Sequence, residues 1–280
     1  MTNTSRRAVL TVLATAAVSG PLLTGAGAAP AYAADDLYAS NTDLYRKLAG
    51  QEGTDFARRY KRHEKYDNSL GAAYPFHRTT VMALHGGGIE TGTSELCLGI
   101  AGYHPATFEV RPAAGPVYDY WMFEGLRSSN NGELHVTSVN CDDRVALSMA
   151  GGSLNVLSLH GCTAAQAGVA GSRPEAIVVG GLNDTFKQYL HDAFGAAGFV
   201  TIDGSTKPAL AGVQPLNIAN RTVLSKGGQL EITTELRQSM FGVNTRAGRP
   251  GSTNEVFDRF VGAARTAIAR LEARSDQAIL

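Results

Sequence analysis

His85, Glu90 and His160 are residue types that hold a divalent metal, and their placing suits that chemistry. His85 ends the apolar run Val81-Met82-Ala83-Leu84 and opens Gly86-Gly87-Gly88, with Glu90 shortly after. His160 ends a second apolar run, Leu157-Ser158-Leu159, and is followed by Gly161. Two imidazoles and a carboxylate, with a fourth position open, are the usual protein ligands of a catalytic zinc, which polarises a carbonyl and activates water near neutral pH. A lone histidine at a strand end is more often structural than a ligand. Two in matching positions, one beside a triple glycine and near an acid, favour a metal centre. Water attacking an amide also needs a base that takes its proton and passes it to the leaving amine, usually a carboxylate. Glu231 lies in the strand-like Gly228-Gln229-Leu230-Glu231-Ile232-Thr233, where burial would raise its pKa towards a useful value. The competing reading of Glu231 is a surface position on an edge strand. The competing residue is Glu95, which fits better as support for a helix N-terminus.

Strands and helices alternate around these residues. The glycine loop is expected to lead from a buried strand into a helix starting at Thr93-Ser94-Glu95. Further strands are expected at Tyr118-Asp119-Tyr120-Trp121-Met122-Phe123-Glu124, over 154–162, 176–181 and 199–202, and at 228–233, with Phe108-Glu109-Val110-Arg111 a shorter one. Leu134-His135-Val136-Thr137-Ser138-Val139 alternates like a strand. Helices are expected over 142–150, 184–194, 234–240 and 254–273, and short helices or covering loops over 36–59. This pattern predicts an α/β fold, a three-layer α/β/α sandwich on a mixed, mostly parallel sheet. In such sheets ligands gather beyond the carboxyl ends of the strands, where both His-Gly pairs fall.

Other glycine-loop chemistries fit less well. No Gly-Lys-Ser/Thr follows Gly86-Gly87-Gly88 and no Gly-x-Gly-x-x-Gly spans the turn, which disfavours a nucleotide site. His-Gly-Gly-Gly also occurs as an oxyanion loop in lipase-like hydrolases, but that requires a Gly-x-Ser-x-Gly elbow, which this sequence lacks. The 280 residues are 44% hydrophobic and 18% charged, which suits a globular chain with a sizeable core. Basic and acidic residues balance at 25 each, against a nucleic-acid binder, whose affinity needs a positive surface.

Ser5-Arg6-Arg7 followed by a mildly apolar stretch and Ala31-Tyr32-Ala33 reads as a twin-arginine export signal with its cleavage site. Residues 1–33 would be removed, leaving 34–280 as one domain, secreted, with no stable membrane anchor. Cys97, Cys141 and Cys162 allow at most one internal disulfide, and Cys162 with Cys141 is one candidate pair.

Taken together, His85-Gly-Gly-Gly-Ile-Glu90-Thr-Gly-Thr-Ser-Glu95, Leu134-His135-Val-Thr-Ser138, Leu157-Ser-Leu-His160-Gly-Cys162, Val178-Val-Gly-Gly-Leu182, Asn217-Ile-Ala-Asn220-Arg221 and Gln229-Leu-Glu231-Ile resemble the poly-gamma-glutamate hydrolase family. The resemblance implies a zinc-dependent hydrolase, with a fold similar to metallocarboxypeptidases, that cleaves gamma-linked glutamyl amide bonds. It implies Zn2+ on His85, Glu90 and His160. Arg221, with Asn220 beside it, is expected to bind a substrate carboxylate or steady the oxyanion, a structural salt bridge being the other reading of that arginine. His135 is read as a support for a ligand, a wall of the substrate pocket or a plain strand residue. Two rivals are a related metallo-amidase acting on cell-wall or other gamma-glutamyl peptides, and a binding protein on the same fold without turnover. The stretch 242–251, with Arg246 and Arg249, is either a substrate loop or a linker to the last helix.

Overall fold

A computed structural model describes residues 36–63, 66–67, 72–73, 78–111, 115–169, 171 and 173–277. The expected export signal at 1–33 lies outside the described residues. Among the described residues nine strands form in chain order: β1 (Phe56–Lys61), β2 (Tyr66–Asp67), β3 (Ala72–Ala73), β4 (Thr79–Gly87), β5 (Asp119–Gly125), β6 (Asn155–Cys162), β7 (Ile177–Gly180), β8 (Thr201–Asp203) and β9 (Gly228–Thr233). β2 and β3 pair with each other, and the rest make one seven-stranded sheet in the order β1-β5-β4-β6-β9-β7-β8. β5, β4, β6 and β9 run parallel, whereas β1 is antiparallel to β5 and β7 to β9. Every residue of β4 is buried, as an interior strand of a sheet covered on both faces requires.

The helices are α1 (Asn41–Lys47), α2 (Thr93–Ala101), α3 (Arg144–Gly151), α4 (Ala164–Ala167), α5 (Asp184–Ala196), α6 (Thr234–Ser239) and α7 (Glu255–Glu272). One face of the sheet, carrying Val81, Ala83, Leu157, Leu159 and Leu230, packs under α2, α5 and α7. The other face, carrying Met82, Leu84, Trp121 and Val156, packs under α1 and α3. The fold is therefore the expected three-layer α/β/α sandwich. In α7, Phe257, Phe260, Val261, Ala264, Ala267, Ile268 and Leu271 recur at helical spacing and are all buried. Asn254 caps that helix by accepting from the N–H groups of Val256 and Phe257. Burying each phenylalanine there contributes about 2–3 kcal/mol. Among the described residues no helix is long and apolar enough to cross a membrane.

Three local expectations change. Strand β1 replaces the end of the expected covering segment; only Phe56 in it is buried, and Arg58, Arg59 and Lys61 line a sheet edge, where charge blocks further pairing. Residues 134–139 are not a strand: 3-10 turns at Asn131–Leu134 and Ser138–Asn140 bracket them. Leu134 and Val136 are buried, but so are Thr137 and Ser138, and β5 already has a neighbour on each side and offers no free edge. Phe108 to Arg111 forms only an isolated bridge, Tyr103 to Val110. The three cysteines are all buried and unpaired, each in a different apolar cluster, so Cys141 cannot reach Cys162.

Candidate metal centre

By plain strand alternation His85 would share the face of Val81 and Ala83, the wrong side for His160, which falls with Val156 and Ser158. The register corrects this. Ala83 pairs with Met122 but Gly86 pairs with Glu124, so β4 carries one residue more than β5 between those pairs. That bulge turns His85 onto the face of His160, a known use of bulges beside functional sites. The chain goes from β4 through α2 to β5 on one side, then through α3 to β6 on the other, so the crevice between β4 and β6 is the topological switch point.

The glycines allow the loop to pass its neighbours. A Cβ on Gly86 would lie 2.2 Å from Ser94 Oγ and 3.0 Å from Phe123 O, and Gly87 has φ +65°. Ser94 Oγ accepts from Gly87 N at 2.9 Å and ties the loop to the start of α2. Gly86→Ala should therefore destabilise the fold by about 1–3 kcal/mol, the cost of overpacking a tight site; a thermal melt matching the parent protein would show that the loop has slack.

The loop closes when Glu90 N–H donates to His85 O at 2.8 Å, folding the Glu90 carboxylate back over the ring. Glu90 Oε1 then lies 3.0 Å from His85 Nδ1, and Oε2 accepts from Gly161 N at 2.8 Å. His85 Nε2–H donates to Val136 O at 2.9 Å; a carbonyl can only accept, so the ring proton sits on Nε2. Burial disfavours a charged His85 ring, but the Glu90 carboxylate outweighs it, so without a metal Nδ1 carries a second proton that it donates to Glu90, the proton a metal ion would displace. His160 Nδ1 also points there, 3.1 Å from His85 Nδ1 and 3.8 Å from Glu90 Oε2. The Nε2 side of His160 rests on the hydroxyls of Ser158, at 2.8 Å, and Ser138, at 3.3 Å. His85 Nδ1, His160 Nδ1 and the Glu90 carboxylate converge, an arrangement that suits a cation, either a proton on His85 or a metal ion in its place. Tetrahedral zinc with bonds near 2.0–2.1 Å sets its ligand atoms roughly 3.3 Å apart, which the observed separations bracket.

His135 joins the same cluster. His85, Glu90 and His135 each offer a ligand atom within 4.8 Å of the others. Asp36 holds His135 through Nδ1 at 2.7 Å and accepts from Thr137 N at 2.6 Å, so Nε2 is turned towards Glu90 Oε1 at 4.0 Å. The His135 ring lies over that of His85, with centroids 3.9 Å apart at 33°, while His160 meets His85 edge-on at 61°. Edge-on rings let two nitrogens aim at one point; overlapping rings do so poorly.

Electrostatics follow from burial. His160 is held down to about 3 by burial and then by the charge of His85, so it stays a neutral ligand. Burial also lowers His135, with the charge of His85 adding to it. Glu90 is lowered: burial works against ionisation, but the charge and hydrogen bond of His85 outweigh it.

Glu231 pairs across the sheet with His160 and lines the same cavity. Burial, then the charge of Glu90, push its carboxyl well above the usual range. Gln229, two residues earlier on the same face, donates from Nε2 to Glu231 Oε1 at 3.0 Å, and Asn217 Nδ2 donates to Gln229 Oε1 at 2.8 Å. The structure does not bring Arg221 to this cavity: it is exposed, at the end of the 3-10 turn Ile218–Asn220. Asn220 is buried and fully occupied. Its Oδ1 accepts from Leu182 N and Gly227 N, and its Nδ2 donates to the carbonyls of Gly212 and Gln214, so it fastens a cavity wall and has no bond left for a substrate. Glu95 stands apart, in the first turn of α2, in a buried ion pair with Arg249 at 3.0 Å. Arg249 also donates to Gly87 O, so the 242–251 stretch braces the glycine loop from behind.

Asp36 and Arg237 near the centre escape a reading by motif, and Gln229 falls inside the match Gln229-Leu-Glu231-Ile without being given a role there. Spacing by two from Glu231 could have flagged Gln229; nothing local flags the other two.

The profile of a family described as poly-gamma-glutamate hydrolase matches residues 52–263. The chain is similar to the UPF0714 protein YndL of Bacillus subtilis (strain 168), 34% identical over 180 residues that cover 64% of this chain and 63% of that protein. It thus spans less than two thirds of that relative's length. Among solved structures, "Structure of Bacteriophage poly-gamma-glutamate hydrolase" shares the fold, with a TM-score of 0.67 and 24% identity over 84% of this chain and 98% of that one. "YNDL-apo (Zinc-free)" superposes with a TM-score of 0.67 and 28% identity over 85% and 99%.

Proposed function

Since the chain belongs to the poly-gamma-glutamate hydrolase family, we propose that it is a secreted, zinc-dependent amidase that cleaves gamma-glutamyl amide bonds, with poly-gamma-glutamate as its substrate. The observation that carries the metal is the meeting of His85 Nδ1, His160 Nδ1 and the Glu90 carboxylate. That a YndL structure is described as zinc-free supports zinc as the ion. When bound, zinc polarises the scissile carbonyl and makes a water nucleophilic near neutral pH.

The remaining work falls to side chains. Glu231 takes the water's proton on its carboxylate and delivers it to the leaving nitrogen. Its raised pKa suits the second half of that transfer, because a group that is too acidic would not hold the proton. Gln229 fixes one carboxylate oxygen by its hydrogen bond and leaves the other to the reaction. Val136 O, Ser158 and Ser138 set the orientation of the two ligand rings, and Asp36 that of His135, which walls the cavity beside them. The twin-arginine start and the small residues at Ala31-Tyr32-Ala33 support export, with 34–280 as a single hydrolase domain.

The test uses protein recovered from the culture medium, with its N-terminus read, its zinc measured and poly-gamma-glutamate chain length followed before and after chelation. We expect a start at Ala34, about one zinc per chain, and depolymerisation that chelation stops and zinc restores. Folded protein without zinc would sink the mechanism. Zinc without depolymerisation would move the substrate to another amide.

A further inference from the structure

We propose that Arg237 is the anchor for a substrate carboxylate next to the scissile amide, in a second cleft that joins the first at the metal centre; this deepens the amidase reading and rests on it. The cavity that holds Glu231 is lined by no lysine or arginine. A second cleft shares Glu90, His135 and Gly161 with it and continues past them to Gln166 and Arg237. Among the described residues lining either cleft, Arg237 alone carries a permanent positive charge. A polyanion laid across both clefts therefore meets one cation, and meets it beside the metal ligands.

Arg237 is 6% exposed and rigidly held. Its Nε donates to Ile232 O at 3.0 Å, one terminal nitrogen to Thr91 O at 2.7 Å and the other to Thr234 Oγ1 at 3.1 Å. All three acceptors are uncharged, so these bonds fix the fork without neutralising it. A guanidinium has five N–H groups, and three bonds leave one on each terminal nitrogen, two donors that a carboxylate can take. The guanidinium lies against Gly161, where a Cβ would come within 2.6 Å of Cζ. Gly161 follows His160 and donates to Glu90, so the anchor is one backbone unit from the centre.

Burying a cation this way is costly unless a counter-charge arrives. Glu90 and Glu231 act on Arg237. With Glu90 committed to a metal, a bound carboxylate becomes the natural complement. A gamma-linked glutamyl chain offers one: the amide nitrogen is attached to the carbon that bears the free alpha-carboxylate, which places an anion two bonds from the bond that breaks.

The test pairs Arg237→Gln and Arg237→Lys with two probes, oligo-gamma-glutamate and the same oligomer with its alpha-carboxylates converted to carboxamides. Zinc content and melting temperature are measured on each protein. Arg237→Gln with zinc retained should lose roughly 10- to 100-fold in kcat/KM on the charged oligomer. It should lose less than about threefold on the amidated one, and Arg237→Lys should recover part of the difference. Equal losses on both oligomers would overturn the assignment and leave Arg237 a structural brace. Should Arg237→Gln not fold, calorimetric binding to the parent protein decides: a preference of at least about tenfold for the charged oligomer supports the anchor, and none overturns it. If the zinc-loaded parent cleaves neither oligomer, the amidase reading fails by itself, and the binding preference still judges Arg237.

Discussion

Glu231→Gln is expected to cut kcat by about 10²–10⁴-fold while leaving zinc content and melting temperature as they were. The amide matches the carboxylate in size and keeps an oxygen to accept from Gln229, so the local network survives. It cannot hold and release a proton. That loss corresponds to about 3–5 kcal/mol at the transition state, a size few packing effects reach without unfolding the protein. Near-parental turnover by Glu231→Gln would remove Glu231 from the reaction and leave the metal proposal untouched.

His160→Ala should abolish tight zinc binding, and so should His85→Ala, whereas His135→Ala should keep the ion. The order follows from how the rings meet. His85 and His160 bring Nδ1 atoms to 3.1 Å edge-on, while His135 overlaps the His85 ring and stays 4.0 Å from the nearer carboxylate oxygen. Loss of the ion should also show in stability, since free zinc at 1,000 times its Kd stabilises a folded chain by about 4 kcal/mol. Metal analysis and melting curves with and without a chelator test both points. Zinc kept by His160→Ala and lost by His135→Ala would transfer the third ligand position to His135.

What could be read from the sequence was whatever strand pattern alone decides. The layered α/β architecture, the strand ends at His85 and His160, and the inward side of β9 at Glu231 all follow from apolar runs and punctuation. What could not be read depends on contacts between distant parts of the chain. Asp36 meets His135 across 99 positions, and no local signal announces such a pair. The choice of cation had the same origin. Arg221 follows a motif asparagine but ends a turn in solvent, while Arg237, on the last turn of a short helix, folds back under Gly161. β1 was hidden by its own charges, because an edge strand carries the polar residues that a sequence reading assigns to loops.

The extra residue in β4 makes the metal centre a question of parity. Substitutions within Ala83 to Gly86 change what a side chain is, yet they leave the count, and so the side on which each one emerges, intact. Loss or gain of a single codon there would turn the imidazole to the side covered by α2, α5 and α7 while the strand still hydrogen-bonds to its neighbours. Insertions and deletions, usually regarded as lesions of a fold, are here the kind of genetic change that could switch the centre on or off within an otherwise unaltered scaffold.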